Sequence, residues 1–288
     1  MFYISALALG SCLATMAIGV FLAIKIFKIP DITTDGSFTL GAAVTAVALQ
    51  AAVPVWCVIP LVLLAGAAAG FLTAFIHTRL KIDALLAGIL VMTALFSVNL
   101  GIMGRSNIPL INETHLFSTE NGIPQAYKPV VIGTVLVLIL IVLLFGFLLT
   151  DFGIAMRASG DSATMSEANG VNNSTMKQVG LAISNSFTAL AGFLVTQYQG
   201  FADVNMGVGI VITALGSVLL GDALISFLGI RNMALQLVCV VLGCWVFQLV
   251  LALALSLGVN PIFLKGITAV MVLLIVAFTR FKSKSYAN

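Results

Sequence analysis

The feature that most constrains this chain is a series of long apolar runs without a charged residue. The runs occupy residues 2–24, 36–78, 84–104, 129–150, 178–202, 204–221, 232–264 and 266–279. A helix needs roughly 20 apolar residues to cross a bilayer. The run at 36–78 is long enough for two crossings, and Pro54 marks the break between them. These lengths predict about nine membrane helices.

The composition excludes a soluble protein. The 288 residues are 61% hydrophobic and 8% charged, whereas a soluble domain carries about 25% charged residues. The runs are continuously apolar and do not alternate, which favours helices over a membrane barrel. A net charge of +3 without a large basic patch gives no indication of nucleic-acid binding. We therefore predict an all-α, polytopic membrane helical bundle of about 8–10 helices, surrounded by lipid, as a single domain over residues 1–288.

Basic residues near span ends predict the orientation, because they favour the cytoplasmic side. With nine alternating spans, the N-terminus is outside, the C-terminus is cytoplasmic, and residues 105–128 form an external loop. This arrangement places the following basic residues inside: Lys25, Lys28, Arg79, Lys81, Arg157, Lys177, Arg231, Arg280, Lys282 and Lys284. Lys265 is the exception near an outer end, from which its side chain can reach the interface.

A polar stretch, IPDITTDGSFTLGAAVTA, interrupts the apolar pattern at residues 29–46. Pro30 breaks the preceding helix. The polar side chains that follow are Asp31, Thr33, Thr34, Asp35 and Ser37. An interrupted helix at membrane depth is tolerated only where other parts of the protein cover it or where it lines a water-filled cavity. The stretch therefore predicts either a broken helix along a translocation path or a cytoplasmic turn with Asp35 as the N-cap of the next helix.

A second polar stretch leads into a glycine-spaced segment. It begins YQGFADVNMGVG at residue 198 and contains Asp203 and Asn205, which are candidates for a pore mouth or for contact with an external partner. The apolar part at 208–220 is short for a crossing, so it tilts, extends or re-enters. The two polar stretches resemble each other loosely, as the internal repeats of transporters do.

Several functional classes lack their motifs. The chain contains no phosphate-binding G-x-x-x-x-G-K-[ST] loop, and its four cysteines lie in apolar runs without histidine or carboxylate neighbours. No catalytic, metal or cofactor site is predicted. No span centre carries Lys, Arg, Glu or His, so ion coupling would rest on Asp31, Asp35, Asp203 or Asp222.

The longest polar stretch between apolar runs is DFGIAMRASGDSATMSEANGVNNSTMK, residues 151–177, here called the polar insert. We expect a break at Gly160 and Asp161, with Asp161 capping a short helix over 162–169. Gly170 is expected to end that helix, and Asn172 or Asn173 to cap the next span. From these residues alone, the insert is either a connecting loop or a docking element.

The residue patterns of three motifs resemble those of a known family. G-I-A-M-R-A-S-G-D, followed by A-x-G-V-N and M-K, is similar to the cytoplasmic coupling segment of ATP-binding-cassette importer permeases for branched-chain amino acids and simple sugars. The matching residues are Arg157, Gly160, Asp161, Ala168, Gly170, Val171 and Asn172. I-P-D-I-T-T-D-G-S-F-T-L-G-A also resembles that branch. Q-Y-Q-G-F-A-D-V-N-M-G-V-G resembles a subgroup that imports amino acids, including aromatic ones.

The resemblance implies a permease subunit that is not itself an enzyme. Two copies in a bacterial inner membrane would enclose a path, and an external binding protein would deliver the solute. Two cytoplasmic ATPase subunits, which hold ATP and Mg, would press on the insert, with Arg157 and Glu167 as polar contacts and Met165 and Ala168 as an apolar face.

Other functions stay open at this point. They are an ion-coupled secondary transporter of a small neutral or zwitterionic solute, a sugar or nucleoside permease, and a membrane scaffold without transport. Sugar permeases usually carry Asn where Asp161 stands, which argues against a sugar.

Overall fold

The fold is a bundle of helices, as expected. A computed structural model describes residues 2–110, 116–118, 124, 127–230 and 232–285. Its helices are α1 (Phe2–Phe21), α2 (Thr33–Gln50), α3 (Val55–Arg79), α4 (Ala84–Met103), α5 (Lys128–Leu149), α6 (Asp151–Asp161), α7 (Ala163–Ala168), α8 (Asn173–Gln199), α9 (Ile210–Leu228), α10 (Met233–Ser256) and α11 (Leu264–Ser285). Two short strands, β1 (Asn107–Pro109) and β2 (Phe201–Asp203), pair antiparallel with Ile108 opposite Ala202. The all-α prediction is confirmed.

Each of the nine predicted segments corresponds to a long helix of the described part. Seven are long and apolar enough to cross a membrane: α3, α4, α5, α8, α9, α10 and α1 with its π-helical extension, together Tyr3–Ile26. Helix α2 does not meet this criterion because its first turns are polar. Among its described side chains, α11 has a shorter apolar segment, Leu264–Ala277. The break at Pro54 is confirmed, since this residue is the N-cap of α3.

The two ends of the bundle are distinguished by the segments that meet there. One end, here called the insert end, carries the polar insert together with Lys28, whose Nζ lies 3.2 Å from Asp161 Oδ1. Gln178 Nε2 donates to Thr78 Oγ1 at the same end, at 3.0 Å. At the opposite end, the two strands pair and Tyr198 Oη donates to the Ser5 carbonyl at 3.4 Å.

Lys28, Lys81 and Lys177, which the sequence assigned to one side, lie at the insert end. The side of the membrane that this end faces stays a prediction. Arg231 and the side chains of Arg280, Lys282 and Lys284 lie outside the described residues. So does much of the predicted external loop, namely residues 111–115, 119–123 and 125–126. In the described part of that loop, the Leu116 N–H donates to Gln197 Oε1 at 3.0 Å, at the end opposite the insert.

Helix α8 is the centre of the bundle and packs against α1, α2 and α3. Glycines make these approaches close. A Cβ on Gly66 would lie 2.5 Å from the Asn185 carbonyl oxygen, and one on Gly70 would overlap the Leu181 carbonyl oxygen. Gly41 of α2 is in the same position against Ala189. The small-residue motif from Gly66 to Gly70 therefore forms a helix–helix contact, as small residues do in membranes.

Replacing Gly70 with Val should destabilise the bundle, because the new side chain would force α3 away from α8. We expect a loss of about 1–3 kcal/mol, the range for overpacking a close contact. Gly146→Val on α5 is the matched control, since nothing lies within 4 Å of a Cβ there. Melting temperatures of the two detergent-purified variants measure the difference. Equal melting would contradict the packing assigned to Gly70.

Candidate functional site

After α1 the chain turns back into the bundle before α2 begins. The π-helical turn Leu22–Ile26 extends α1, and the Phe27 ring then fills the space over Gly180 of α8. Four residues later, Asp31 meets Asn185 of α8, whose Nδ2 donates to Asp31 Oδ2 at 2.6 Å. Asn185 lies ~18 Å along α8 from its start at 1.5 Å per residue. Helix α2 thus starts deep inside the bundle, which confirms the predicted interruption.

Hydrogen bonds satisfy the polar groups where α2 begins. Asp31 Oδ1 accepts from the Thr33 N–H at 2.9 Å, and the Thr34 hydroxyl donates to the Asp31 carbonyl at 3.2 Å. The Ser37 hydroxyl donates to Asn185 Oδ1 at 2.7 Å. Each of these side chains is buried. We call this network the polar junction; it comprises Asp31, Thr33, Thr34, Asp35, Ser37 and Asn185.

The polar junction also ties α2 to α3 and α4. The hydroxyl oxygens of Thr33 and Thr73 lie 2.8 Å apart, which connects α2 to α3. Asn99 of α4 donates from Nδ2 to the Gly36 carbonyl at 3.2 Å. Non-helical backbone at this depth is therefore enclosed by α3, α4 and α8, the arrangement that a hydrocarbon surrounding requires.

Asp35 caps a helix other than its own. Its Oδ2 accepts from the Gly209 N–H at 2.8 Å and its Oδ1 accepts from the Val211 N–H at 2.9 Å, at the start of α9. A carboxylate at this position satisfies free N–H groups and interacts favourably with the helix dipole. The prediction that Asp35 caps α2 is wrong, because the N-cap of α2 is Ile32 and Asp35 lies inside the first turn.

Two further contacts surround Asp35. Lys265 of α11 donates from Nζ to the Val208 carbonyl at 3.1 Å and is close enough to stabilise the Asp35 charge. Gly207 lies so close to the Asp35 carbonyl oxygen that a Cβ there would overlap it. Lys265, the exception to the predicted charge pattern, thus has partners within the chain.

Asp203 and Asn205 are separate from the polar junction. Asp203 Oδ1 accepts from the Asn205 N–H at 2.8 Å, and Asp203 Oδ2 accepts from Asn107 Nδ2 at 3.3 Å. These bonds close a turn at the end opposite the insert, where Asn205 is exposed. The predicted path residues therefore divide into five that are buried together and two at the surface. Their lining of a path stays a prediction.

The polar insert folds into α6 and α7, with a cap at each junction. Thr150 Oγ1 accepts from the Gly153 N–H at 3.3 Å, and Ser162 Oγ accepts from the Met165 N–H at 3.4 Å. Asn172 Oδ1 accepts from the Thr175 N–H at 3.2 Å and caps α8. The expected cap at Asn172 is confirmed, as is the helix stop at Gly170, whose φ is +82°.

The expected break at Gly160 and Asp161 is displaced by one residue. Both residues belong to α6, and Ser162 caps α7 in place of Asp161. A Cβ on Gly160 would overlap the Ile26 carbonyl oxygen. Gly160 therefore permits α6 to lie directly against the end of α1, while the exposed Asp161 pairs with Lys28 at 3.2 Å.

Sequence reasoning missed the residue that holds the insert together. Asn173 is buried, and its Oδ1 accepts from the Ser159 hydroxyl at 2.6 Å. Its Nδ2 donates to the Ala163 carbonyl at 2.7 Å and to Glu167 Oε1 at 2.9 Å. One amide thus joins α6, α7 and α8. The pair Asn172–Asn173 was the available signal, but only its capping potential was considered.

The insert presents a mixed surface at the end of the bundle. Met165 is 69% exposed and Ile154 is 50% exposed. Among the residues predicted to contact the ATPase, the following are also exposed: Asp161, Glu167, Ala168, Gly170 and Asn172. Arg157, Gly160 and Val171 are half-buried, and Arg157 Nε is buried without a hydrogen bond in the described part. Met165 and Ala168, which were predicted to form the apolar face toward the ATPase, are both exposed.

Residues 25–35 connect this surface to the polar junction. Gly160 and Asp161 of α6 touch Ile26 and Lys28, and Asp31 follows three positions after Lys28. Lys25 Nζ lies 2.7 Å from Asp222 Oδ1 of α9. Residues 25–35 therefore contact α9 at two levels, since Asp35 caps its first turn.

Residues 2–277 match a family model described as "Branched-chain amino acid transport system / permease component". The chain belongs to this family. Its members are permeases of ATP-binding-cassette importers, and this permease has the multiple apolar helices of an integral membrane protein. The resemblance noted in the motifs is thereby confirmed.

Individual relatives agree with the family. The permease is 37% identical to a "Tyrosine transport system permease protein" of Clostridioides difficile, over 95% of this chain and 90% of that one. It is 29% identical to an uncharacterized protein of Rickettsia prowazekii, over 93% and 94% of the two chains. A ribose import permease of Haemophilus influenzae is 25% identical, over 72% and 64%. No solved structure matches the chain.

Removing the Asp35 carboxylate should loosen the contact between α2 and α9. Asp35→Ala leaves the partly buried N–H groups of Gly209 and Val211 without an acceptor, at a cost of up to about 1–3 kcal/mol for each group. Asp35→Asn should have a smaller effect, because its amide oxygen still accepts one bond. Thermal unfolding in detergent tests this order, with Asp203→Ala as the surface control. A larger loss for Asp203→Ala would refute the structural role of Asp35.

Proposed function

We propose that this permease imports an amino acid, with aromatic amino acids included, by alternating access driven by separate ATPase subunits. The observation that carries the proposal is the exposed surface of the polar insert, which is connected through residues 25–35 to the buried start of α2. The 37% identity to a tyrosine transport system permease supports an amino acid as the solute.

The ATPase subunits dock on the polar insert. Met165, Ile154 and Ala168 supply an apolar contact, while Asp161 and Glu167 supply charged groups beside it. The Asn173 hydrogen bonds make α6, α7 and the start of α8 move together, so that pressure on α7 reaches α6. The ATPase subunits hold ATP and Mg, and this chain contributes the helices α6 and α7, which transmit the movement.

The translocation path lies between two copies of the permease. Within one chain the polar junction is closed, because Asp31, Thr33, Thr34, Asp35 and Ser37 are at most 7% exposed. Movement of α2 against α9 would bring these groups to the path. A binding protein outside the bacterial inner membrane delivers the solute to the end opposite the insert, with the N-terminus outside and the C-terminus in the cytoplasm.

The structure favours this function over an ion-coupled transporter. All four acids on which ion coupling would rest already have partners within the chain. Asp31 and Asp35 each accept two hydrogen bonds, Asp203 also accepts two, and Asp222 pairs with Lys25. A sugar is the second candidate, supported by the 25% identity to a ribose import permease. Asp161 argues against it, because Asp161 forms an ion pair with Lys28 that the usual Asn cannot form.

Uptake by the reconstituted complex tests the solute. Proteoliposomes that contain the permease, its ATPase and ATP should accumulate labelled tyrosine when the binding protein is added outside. Excess phenylalanine or tryptophan should reduce uptake, and ribose should not. Liposomes without ATP are the control. Competition by ribose alone, or uptake by the permease alone under an ion gradient, would contradict the proposal.

Disrupting the apolar part of the insert surface should separate the permease from its ATPase. Met165→Arg places a charge in the docking contact, so we expect at least about a tenfold loss of copurified ATPase, which corresponds to 1.4 kcal/mol. Leu257→Arg is the matched control, since Leu257 is 76% exposed after α10, at the opposite end. Copurification is measured by affinity capture after coexpression. Equal ATPase recovery from the two variants would exclude docking at Met165.

A further inference from the structure

A cleft of about 390 Å³, open to solvent and here called the cavity, lies at the insert end, between the turn from α3 to α4 and the start of α8. Its walls come from two parts of the chain that are distant in sequence. They are His77, Thr78, Lys81, Ile82 and Asp83 on one side and Glu167, Asn173, Ser174 and Lys177 on the other. The volume lies within the roughly 300–1,000 Å³ of small-molecule sites.

Both charge signs line this cavity. Lys81 and Lys177 form no ion pair within the described part of the chain, where the ion pairs are Lys25–Asp222 and Lys28–Asp161. Their ammonium groups therefore offer donors to a ligand. Because they lie on opposite walls, an anionic group between them would join the α3–α4 turn to α8.

The two carboxylates of the cavity each keep an oxygen available. Asp83 Oδ1 accepts from the Leu85 N–H at 2.9 Å, and Glu167 Oε1 accepts from Asn173 Nδ2 at 2.9 Å. The second carboxylate oxygen of each residue does not take part in these two bonds, so it can accept a hydrogen bond from an ammonium group. These two carboxylates repel phosphate or a dicarboxylate, and an apolar molecule offers no partner to any of the four charges.

We propose that this cavity binds a small zwitterion with one primary ammonium and one anionic group, and that the ligand restrains the polar insert. The ligand's anion lies with Lys81 and Lys177, and its ammonium lies with Asp83 and Glu167. The free amino acid on the insert side is one source of this chemistry, and the choice of amino acid rests on the proposed function. A phosphatidylethanolamine headgroup is the other source.

Occupancy of the cavity opposes movement of the insert. Glu167 belongs to α7, and Asn173 joins α7 to α6. A ligand that spans the cavity therefore connects the docking surface to α3 and α4, which do not belong to the insert. An imported amino acid that accumulates on this side would then slow its own uptake.

Hydrogen–deuterium exchange tests the site without requiring transport. The permease–ATPase complex is placed in phosphatidylcholine nanodiscs and titrated with tyrosine, tyramine or 4-hydroxyphenylpropionate. Only tyrosine should slow exchange in residues 163–177, because the other two compounds lack one of the charges. Lys177→Gln and Asp83→Asn should each raise the required tyrosine concentration about tenfold, as expected for loss of one charged hydrogen bond.

Matched variants keep this result interpretable. Asn at position 83 preserves the cap on α4, since Asn caps helices as well as Asp does. Asp151→Asn removes a charge from the exposed start of α6, outside the cavity, and should respond to tyrosine like the unaltered complex. Equal slowing by 4-hydroxyphenylpropionate, or an unchanged titration in both cavity variants, would overturn the site. Loss of copurified ATPase in these variants would also overturn it and would assign the cavity to docking.

A second set of nanodiscs distinguishes the two sources. If phosphatidylethanolamine alone slows exchange and tyrosine adds nothing, the zwitterion is the lipid; a tyrosine response in phosphatidylcholine assigns the free amino acid. Uptake into proteoliposomes preloaded with tyrosine should then fall several-fold and recover in Lys177→Gln. Failure of uptake into empty proteoliposomes counts against the proposed function only, whereas exchange without a ligand response counts against the cavity.

Discussion

The bond between a buried carboxylate on α2 and the first turn of α9 is the interaction on which this bundle depends. Helix α9 starts inside the bundle, and its first N–H groups have no acceptor within the helix. In a hydrocarbon surrounding, each unsatisfied group costs several kcal/mol. Asp35 accepts from Gly209 and Val211. An interrupted helix, α2, therefore supplies the acceptor for the start of another helix.

This interaction has a mechanical consequence. Asp35 is the last residue of a short stretch, 25–35, that also carries Lys25 against Asp222 and Lys28 against Asp161. Residues 25–35 thus contact the polar insert through Lys28. They contact α9 twice, at its first turn through Asp35 and closer to its C-terminal end through Lys25. If the proposed docking displaces α6, residues 25–35 connect that displacement to both α2 and α9, because Gly160 lies directly against the Ile26 carbonyl oxygen.

Local patterns in the sequence predicted much of this architecture. The nine predicted segments became nine long helices in the described part, and Pro54, Gly170 and Asn172 have the expected roles at helix ends. These predictions succeeded because proline geometry, positive φ and side-chain capping depend on a few neighbouring residues. The caps assigned to Asp35 and Asp161 failed because each carboxylate bonds to a residue more than a hundred positions away.

The sequence by itself determined that this chain crosses a membrane as helices, where most helices begin and end, and which family its motifs indicate. Apolar run length and short motifs carry that information locally. Only the tertiary structure decided that Asp31 and Asp35 lie together in the bundle while Asp203 lies at its surface, and that Asn173 unites the insert. Those outcomes depend on which helices meet at glycine contacts. A polar residue in an apolar chain requires a partner, but the spacing of residues does not identify that partner.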